Sequence, residues 1–380
     1  MPDSRALRSA WPALVLLLAA SGLQAQTSLP HGTVTDNGTV TCPTSTDPNH
    51  NPTPPVPAGG SLVCHNLTVS GCGPDATATI WIVKLNPAAT LKGTIFLHGG
   101  GGGTMNFTSG GTELSSYRHT LESNYESDGF QLVDIQWTPH GGVTGDWEFT
   151  TPPSTLDGAC KPASVAAWIF ANPGIHDGRR DIGFCGQGHS GGSAAMAYLM
   201  TFYGLKNYFD YVMLTAGPVF GRIDCGCDTG AAGCGMQQIC PELPLANMQS
   251  HLAYSMDKWS WIDRNEGTGS CGTINDGTNP GDPMWRADSV VGAGADLSYP
   301  KTGVSDWQCV HYQNNTLNNA PAEGSFFIHA VSQLAPGQRP QVFCSSTGCD
   351  WEAIYQATIG GVPATTLMAQ TMAAGCIPRH

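Results

Sequence analysis

The sequence predicts an α/β fold, a mostly parallel central sheet flanked by helices and interrupted late in the chain by a cysteine-rich cap insertion. Three observations carry that prediction. Short apolar runs alternate with helical stretches from about residue 62 to the C-terminus. The stretch Asp181 to Tyr203 reads as strand, sharp turn and helix, with Gly188-His189-Ser190-Gly191-Gly192 at the turn. Far upstream, the buried-strand run Leu91 to Leu97 leads straight into His98 and the five glycines Gly99 to Gly103.

In chain order, Arg5 and Arg8 precede an apolar core, Trp11 to Ala20, and small or polar residues follow up to Ala25. This reads as a secretory signal peptide over residues 1–25, too short in its core to span a bilayer, and it places the chain in the periplasm or outside the cell. Residues 26–60 are rich in Thr, Pro, Asn and Gly and are expected to form an extended arm pinned by Cys42. Leu62 to Ser70 and Ala78 to Leu85 read as an antiparallel strand pair around Gly71-Cys72-Gly73-Pro74. After the glycine bend come a helix over Glu113 to Tyr125, a strand over Phe130 to Trp137, and a cleft-facing loop with His140, Asp146 and Trp147. A short helix over Ala163 to Ala171 leads into the Ser190 turn, and Tyr211 to Thr215 is the next strand. Residues 221–299 break the alternation. They hold five cysteines, Trp259, Trp261 and Trp285, and one helical stretch near Leu245 to Lys258, and are expected to form a disulfide-linked cap. The three tryptophans are read equally as cap core or as a substrate-facing wall. The core, residues 61–220 and 300–380, resumes with a strand over Val304 to Tyr312, a helix over Ser325 to Leu334, a strand over Pro340 to Cys344 and a closing helix over Ala364 to Ala374.

A serine squeezed between small residues at the start of a helix presents its hydroxyl where free backbone N–H groups favour negative charge. Consecutive glycines let other N–H groups approach a carbonyl oxygen. On these two motifs the chain resembles the α/β-hydrolase family, and in general layout it is most similar to secreted bacterial esterases of the feruloyl-esterase and polyhydroxyalkanoate-depolymerase kind. The resemblance implies a nucleophile at Ser190 and an oxyanion hole from the amides of Gly191 and of Gly100 or Gly101. It also implies that a carboxylic ester is attacked through an acyl-enzyme, with no cofactor and no metal.

Composition narrows the partners. Only 12% of residues are charged, and 16 basic residues face 29 acidic ones, for a net charge of −13. Such a chain is unsuited to nucleic acid or to anionic membranes. The expected partner is a small or polymeric ester substrate, and no oligomeric state is indicated. The 14 cysteines are expected to pair as disulfides. A zinc reading of Cys225, Cys227, Cys234 and Cys240 lacks a histidine at a familiar spacing, and Cys344 is placed for a disulfide with Cys349. Asn37, Asn66, Asn106 and Asn314 stand in glycosylation sequons.

The family pattern also needs an acid after a late strand and a histidine after the last one. Near Gln313 to Thr316 the chain offers only Asn314 and Asn315, and Cys349 stands where the histidine is expected. The candidate base is therefore His311, at the end of the late strand, with His140 and His329 as alternatives; His98 and His189 are expected to shape their turns. The candidate acid is Asp224, with Asp306, Asp350 and Glu352 as alternatives. The missing partners leave open a non-catalytic binding protein that kept the elbow and lost its base, and the same elbow would serve a peptidase or acyltransferase.

Overall fold

A computed structural model describes residues 28–44, 51–109, 112–140, 144–145, 147–217, 219–228, 230, 232–235, 237–240, 276–309, 320–334, 340–345 and 354–379. The signal-peptide segment and the helix expected near Leu245 to Lys258 lie outside these residues, as do Trp259 and Trp261. Strands run in chain order β1 (Thr33–Val40), β2 (Ser61–Ser70), β3 (Ala76–Lys84), β4 (Gly93–His98), β5 (Phe130–Trp137), β6 (Pro139–His140), β7 (Thr144–Gly145), β8 (Gly183–His189), β9 (Tyr211–Thr215), β10 (Gly303–Cys309) and β11 (Gln341–Ser345).

Nine of these form one sheet in the order β1-β2-β3-β5-β4-β8-β9-β10-β11. β3 is antiparallel to both of its neighbours, and every pair from β5 to β11 is parallel. This is the α/β-hydrolase fold, with β1 added at one edge. The arm is thus partly structured: Thr33–Val40 pairs with β2, and Cys42 is bonded to Cys64 as expected.

Both faces of the sheet are covered, so its inner strands are apolar throughout and do not alternate. Phe96, Phe184 and Leu214 pack under α3 (Cys160–Ala171), which follows the single turn α2 (Thr155–Gly158), and under α4 (Gly191–Phe202) and the helix Ala320–Leu334. Ile95, Leu97, Cys185 and Met213 pack under α1 (Thr112–Ser127) and the helix Ala364–Gly375. Parallel neighbours need a crossover between them, and the helices supply it.

Disulfides lock the periphery: Cys72–Cys160, Cys185–Cys376, Cys225–Cys234 and Cys240–Cys344, with Cys227 and Cys309 also bonded. One expectation is corrected: Cys344 joins Cys240 in the insertion and not Cys349. Cys225, Cys227, Cys234 and Cys240 are all in disulfides, as expected over the zinc reading. Sequence spacing favoured the local partner, whereas the bond formed is the one that ties the insertion to the edge strand. Trp285, in the short helix Asp282–Asp288, is fully buried in the main core, which removes it from any substrate-facing wall.

Candidate active site

Strand β8 carries the chain up to the bend, and its last residue, His189, is in register with Thr215 of β9, which is in register with Trp307 of β10. Ser190 then takes φ 51° and ψ −121°, a conformation a residue with a side chain rarely adopts, before α4 begins at Gly191. A ring of hydrogen bonds holds it there. Ser190 N–H donates to Thr215 O (2.9 Å), and Ser193 N–H donates to Ser190 O (2.9 Å). Ser193 Oγ accepts from Thr215 N–H (3.0 Å) and donates to Gly188 O (2.8 Å). Thr215 Oγ1 also donates to Gly188 O (2.7 Å) and meets the Tyr355 hydroxyl at 2.7 Å. Sequence reading missed Ser193, Thr215 and Tyr355; the one available signal was hydroxyl side chains inside otherwise apolar elements.

The glycine bend after β4 lies directly against this turn. A Cβ on Gly100 would come within 3.0 Å of Ser190 Cβ, one on Gly191 within 2.3 Å of Gly101 O, and one on Gly192 within 2.3 Å of His98 O. Only glycine lets the two backbones approach so closely. No main-chain acceptor among the described residues takes the amides of Gly100, Gly101 or Gly191, so these N–H groups stay free for an incoming oxygen.

His98 is a strut in this arrangement. Its Nδ1–H donates to Gly99 O (3.0 Å) and its Nε2 accepts from Trp137 Nε1–H (3.1 Å), a pairing that fits only the neutral ring. Burial lowers its pKa to about 4, partly opposed by the bond to Gly99. His189 is likewise neutral: burial, with Arg118 adding, drives its pKa well below the usual value, and its ring lies 5.4 Å from that of Tyr355.

The exit of the glycine bend is fastened by buried polar groups. A Cβ on Gly99 would come within 2.7 Å of Met105 O, so the bend rests on the segment that follows it. There, Asp134 Oδ2 accepts from Phe107 N–H (2.5 Å), Glu122 accepts from the Thr108 hydroxyl (2.9 Å), and Arg118 donates to the carbonyls of Phe107 and Ser109. Asn106 is 1% exposed and donates its amide to Pro52 O (2.9 Å), which closes this sequon to glycosylation.

Of the other candidates, Ser190, Gly100, Gly101 and Gly191 are together, and Ser190 keeps 4% of its surface exposed. Among the described residues no side chain hydrogen-bonds its hydroxyl. His311, Asp146, Asp350, Glu352 and the side chain of His140 lie outside the described residues. His329 is half-buried on the helix Ala320–Leu334. Asp224, in the short helix Ile223–Cys227, has both oxygens held by Arg222, at 2.8 and 2.6 Å. Asp306 of β10 is fully buried, accepts from Gln308 Nε2 (2.7 Å) on Oδ1 and has no partner on Oδ2; burial raises its pKa to about 7, and the bond from Gln308 opposes the shift. Asp224, Cys225 and Cys234 lie close enough together to suggest a metal site, but both cysteines are in one disulfide and offer no thiolate.

No protein-family model matches the chain, and no curated protein sequence does. Among solved structures, the chain is similar to a hyperthermophilic esterase from the archaeon Pyrobaculum calidifontis, at 13% identity over 83% of this chain and 86% of that one, with a TM-score of 0.48. A bacterial heroin esterase aligns at 15% identity over 84% of each chain, TM-score 0.46. Acetyl xylan esterase 1 from a Thermoanaerobacterium species aligns at 13% identity over 91% of this chain and 88% of that one, TM-score 0.44. Likenesses this distant say nothing of what this chain acts on; the fold assignment rests on strand order and on the turn at Ser190.

Proposed function

We propose that the chain is a secreted serine hydrolase that cleaves carboxylic esters through an acyl-enzyme on Ser190. The observation that carries this reading is the contact between two glycine bends far apart in sequence, which sets one strained serine beside unclaimed amides. Ser190 Oγ attacks the ester carbonyl carbon and gives its proton to an imidazole. The amides of Gly191 and of Gly100 or Gly101 hold the resulting oxyanion. The imidazolium returns the proton to the departing alcohol, and water then releases the acid by the same steps in reverse order of partners.

His311 is assigned as the base. It follows the end of β10 by two residues, and β10 lies two strands from β8, about 10 Å at the usual spacing. The acid role passes from Asp224, which Arg222 occupies, to Asp306, five residues before His311 and with one oxygen unpartnered. A nearby positive charge favours the ionised form of a buried carboxyl, which is what this role asks of Asp306. The disulfides fit an oxidising compartment and so support export. Small acyl, aryl and polyester substrates all remain within the reading, and peptidase or acyltransferase chemistry would use the same elbow.

A fluorophosphonate probe tests the proposal. It is expected to label the native chain and not the Ser190→Ala variant, and that variant is expected to lose ester hydrolysis by at least about a thousandfold while keeping its circular dichroism spectrum. A native chain that resists labelling is instead the idle, non-catalytic protein.

A further inference from the structure

Arg118 of α1 fastens the glycine bend, and Glu126 lies further along the same helix, about 12 Å at 1.5 Å per residue, in its last turn. There the arm residues 53–58, which form neither helix nor strand, lie against α1 and leave a groove of about 670 Å³. Glu126 lines this groove and is 7% exposed, and neither of its side-chain oxygens has a hydrogen-bond or ion-pair partner among the described residues. Oε1 is sealed from solvent, which leaves Oε2 as the atom that opens to the groove. A carboxylate buried this far is costly unless a cation or donors meet it. Burial raises its pKa to about 8, and no bond opposes the shift.

The surroundings offer acceptors. Pro54, Pro55 and Pro57 have no N–H to give. The carbonyls of Thr53, Pro54, Pro55 and Val56 accept no hydrogen bond among the described residues, whereas those of Pro52 and Ala58 do. Ser127 gives its hydroxyl proton to Ser123 O (2.8 Å), so its oxygen too is left as an acceptor. The groove also stands at the carbonyl end of α1, the negative end of the helix dipole, and the last turn carries no basic residue. No Lys or Arg among the described residues lines it, in a chain of net charge −13. A partnerless carboxyl, unclaimed carbonyls and a helix C-terminus all call for a donor that carries positive charge.

We propose that this groove binds a primary ammonium group on a short alkyl chain, its N–H donors shared between the Glu126 carboxylate and the arm carbonyls, its alkyl body against Pro54, Pro55 and Val56. An ammonium has three donors and no acceptor, which matches such a wall. A bare divalent cation fits it less well: one carboxylate leaves half of its charge unmet, and the apolar wall adds nothing to its binding. The proposal does not rest on the esterase reading.

n-Butylammonium chloride is titrated into the full chain at pH 8.5 and at pH 6.5, and binding is followed by saturation-transfer NMR on the ligand and by heat. A saturable response with a roughly millimolar Kd is expected at pH 8.5. Only the ionised carboxyl pairs with the cation, and an alkylamine stays charged up to about pH 10, so affinity is expected to fall by about tenfold or more at pH 6.5. The titratable groups around Glu126 are His119, on the same groove, and Glu122, buried on the same helix; arm residues 51–58 carry none. Glu126→Gln removes the charge without removing a hydrogen bond. It is expected to keep the native fold, to bind about tenfold more weakly at pH 8.5 and to lose the pH dependence. n-Butanol and calcium chloride at equal concentration are expected not to compete. The proposal is overturned by no saturable response at pH 8.5, by Glu126→Gln binding as well as the native chain or keeping its pH dependence, or by butanol or calcium competing equally.

Discussion

Gly192 illustrates how the site depends on single atoms. A methyl group there would collide with two carbonyl oxygens, His98 O at 2.3 Å and Gly99 O at 2.7 Å, and backbone cannot move aside as a side chain can. Gly192→Ala is therefore expected to cost about 1–3 kcal/mol in chemical denaturation and to slow fluorophosphonate labelling. Gly101→Ala meets no atom within 4 Å and bears only the strain of φ +56°, about 1 kcal/mol. If Gly192→Ala proves as stable as the native chain, the two bends are not in contact. A second residue-scale expectation concerns the sequons. In a glycosylating host, Asn37, exposed on β1, is expected to carry glycan, and Asn106, 1% exposed and bonded to Pro52, is not. Mass spectrometry of the two peptides decides it, and glycan on Asn106 would contradict its burial.

At the scale of elements, the turn at Ser190 is braced from below by a neighbouring strand and from the side by the glycine bend, which is itself tied to α1 and β5 through Glu122, Arg118 and Asp134. Disulfides then join elements that the sheet leaves loosely connected. Cys185–Cys376 closes 191 residues and fastens β8 to the last helix, while Cys225–Cys234 closes only 9. Loop-closure entropy alone gives about 5 kcal/mol for the first and about 3 kcal/mol for the second. The double variant Cys185→Ala with Cys376→Ala is expected to melt well below the variant lacking Cys225 and Cys234. The reverse order of melting temperatures would mean that native contacts, and not chain connectivity, set their contributions.

For the molecule as a whole, buried ionisable groups set the response to pH. Burial raises the carboxyl of Asp306 to about 7 and that of Glu126 to about 8, and raises Glu122 and Asp134 well above the usual range. A group whose folded pKa is raised binds its proton more tightly in the folded state, so its contribution is lost as pH rises through the folded value. Burial lowers His98 and His176 to about 4, so their contribution is lost as pH falls below about 6.5. The two sets oppose each other below pH 6.5, and only the carboxyls act above it. Stability is expected to fall between about pH 6.5 and 8, and Glu126→Gln to flatten that fall by up to about one proton. A melting temperature that rises across this window would refute the assignment.

The elements and both glycine bends were legible because they are local. Apolar runs bounded by glycine and proline placed Phe130–Trp137 and Tyr211–Thr215 at their observed limits, and the spacing around Ser190 marked its turn. The arm was not: Thr33–Val40 is polar, and it is a strand only because the edge of β2 offers it partners. By itself the sequence determined the alternation of strand and helix and the serine at the bend, since backbone preference acts within a few residues. Only the tertiary structure decided that Arg222 claims Asp224, that Cys344 pairs with Cys240 and that His98 is a neutral strut. Each of these is a contact between side chains, and which groups meet is settled by packing across the sheet.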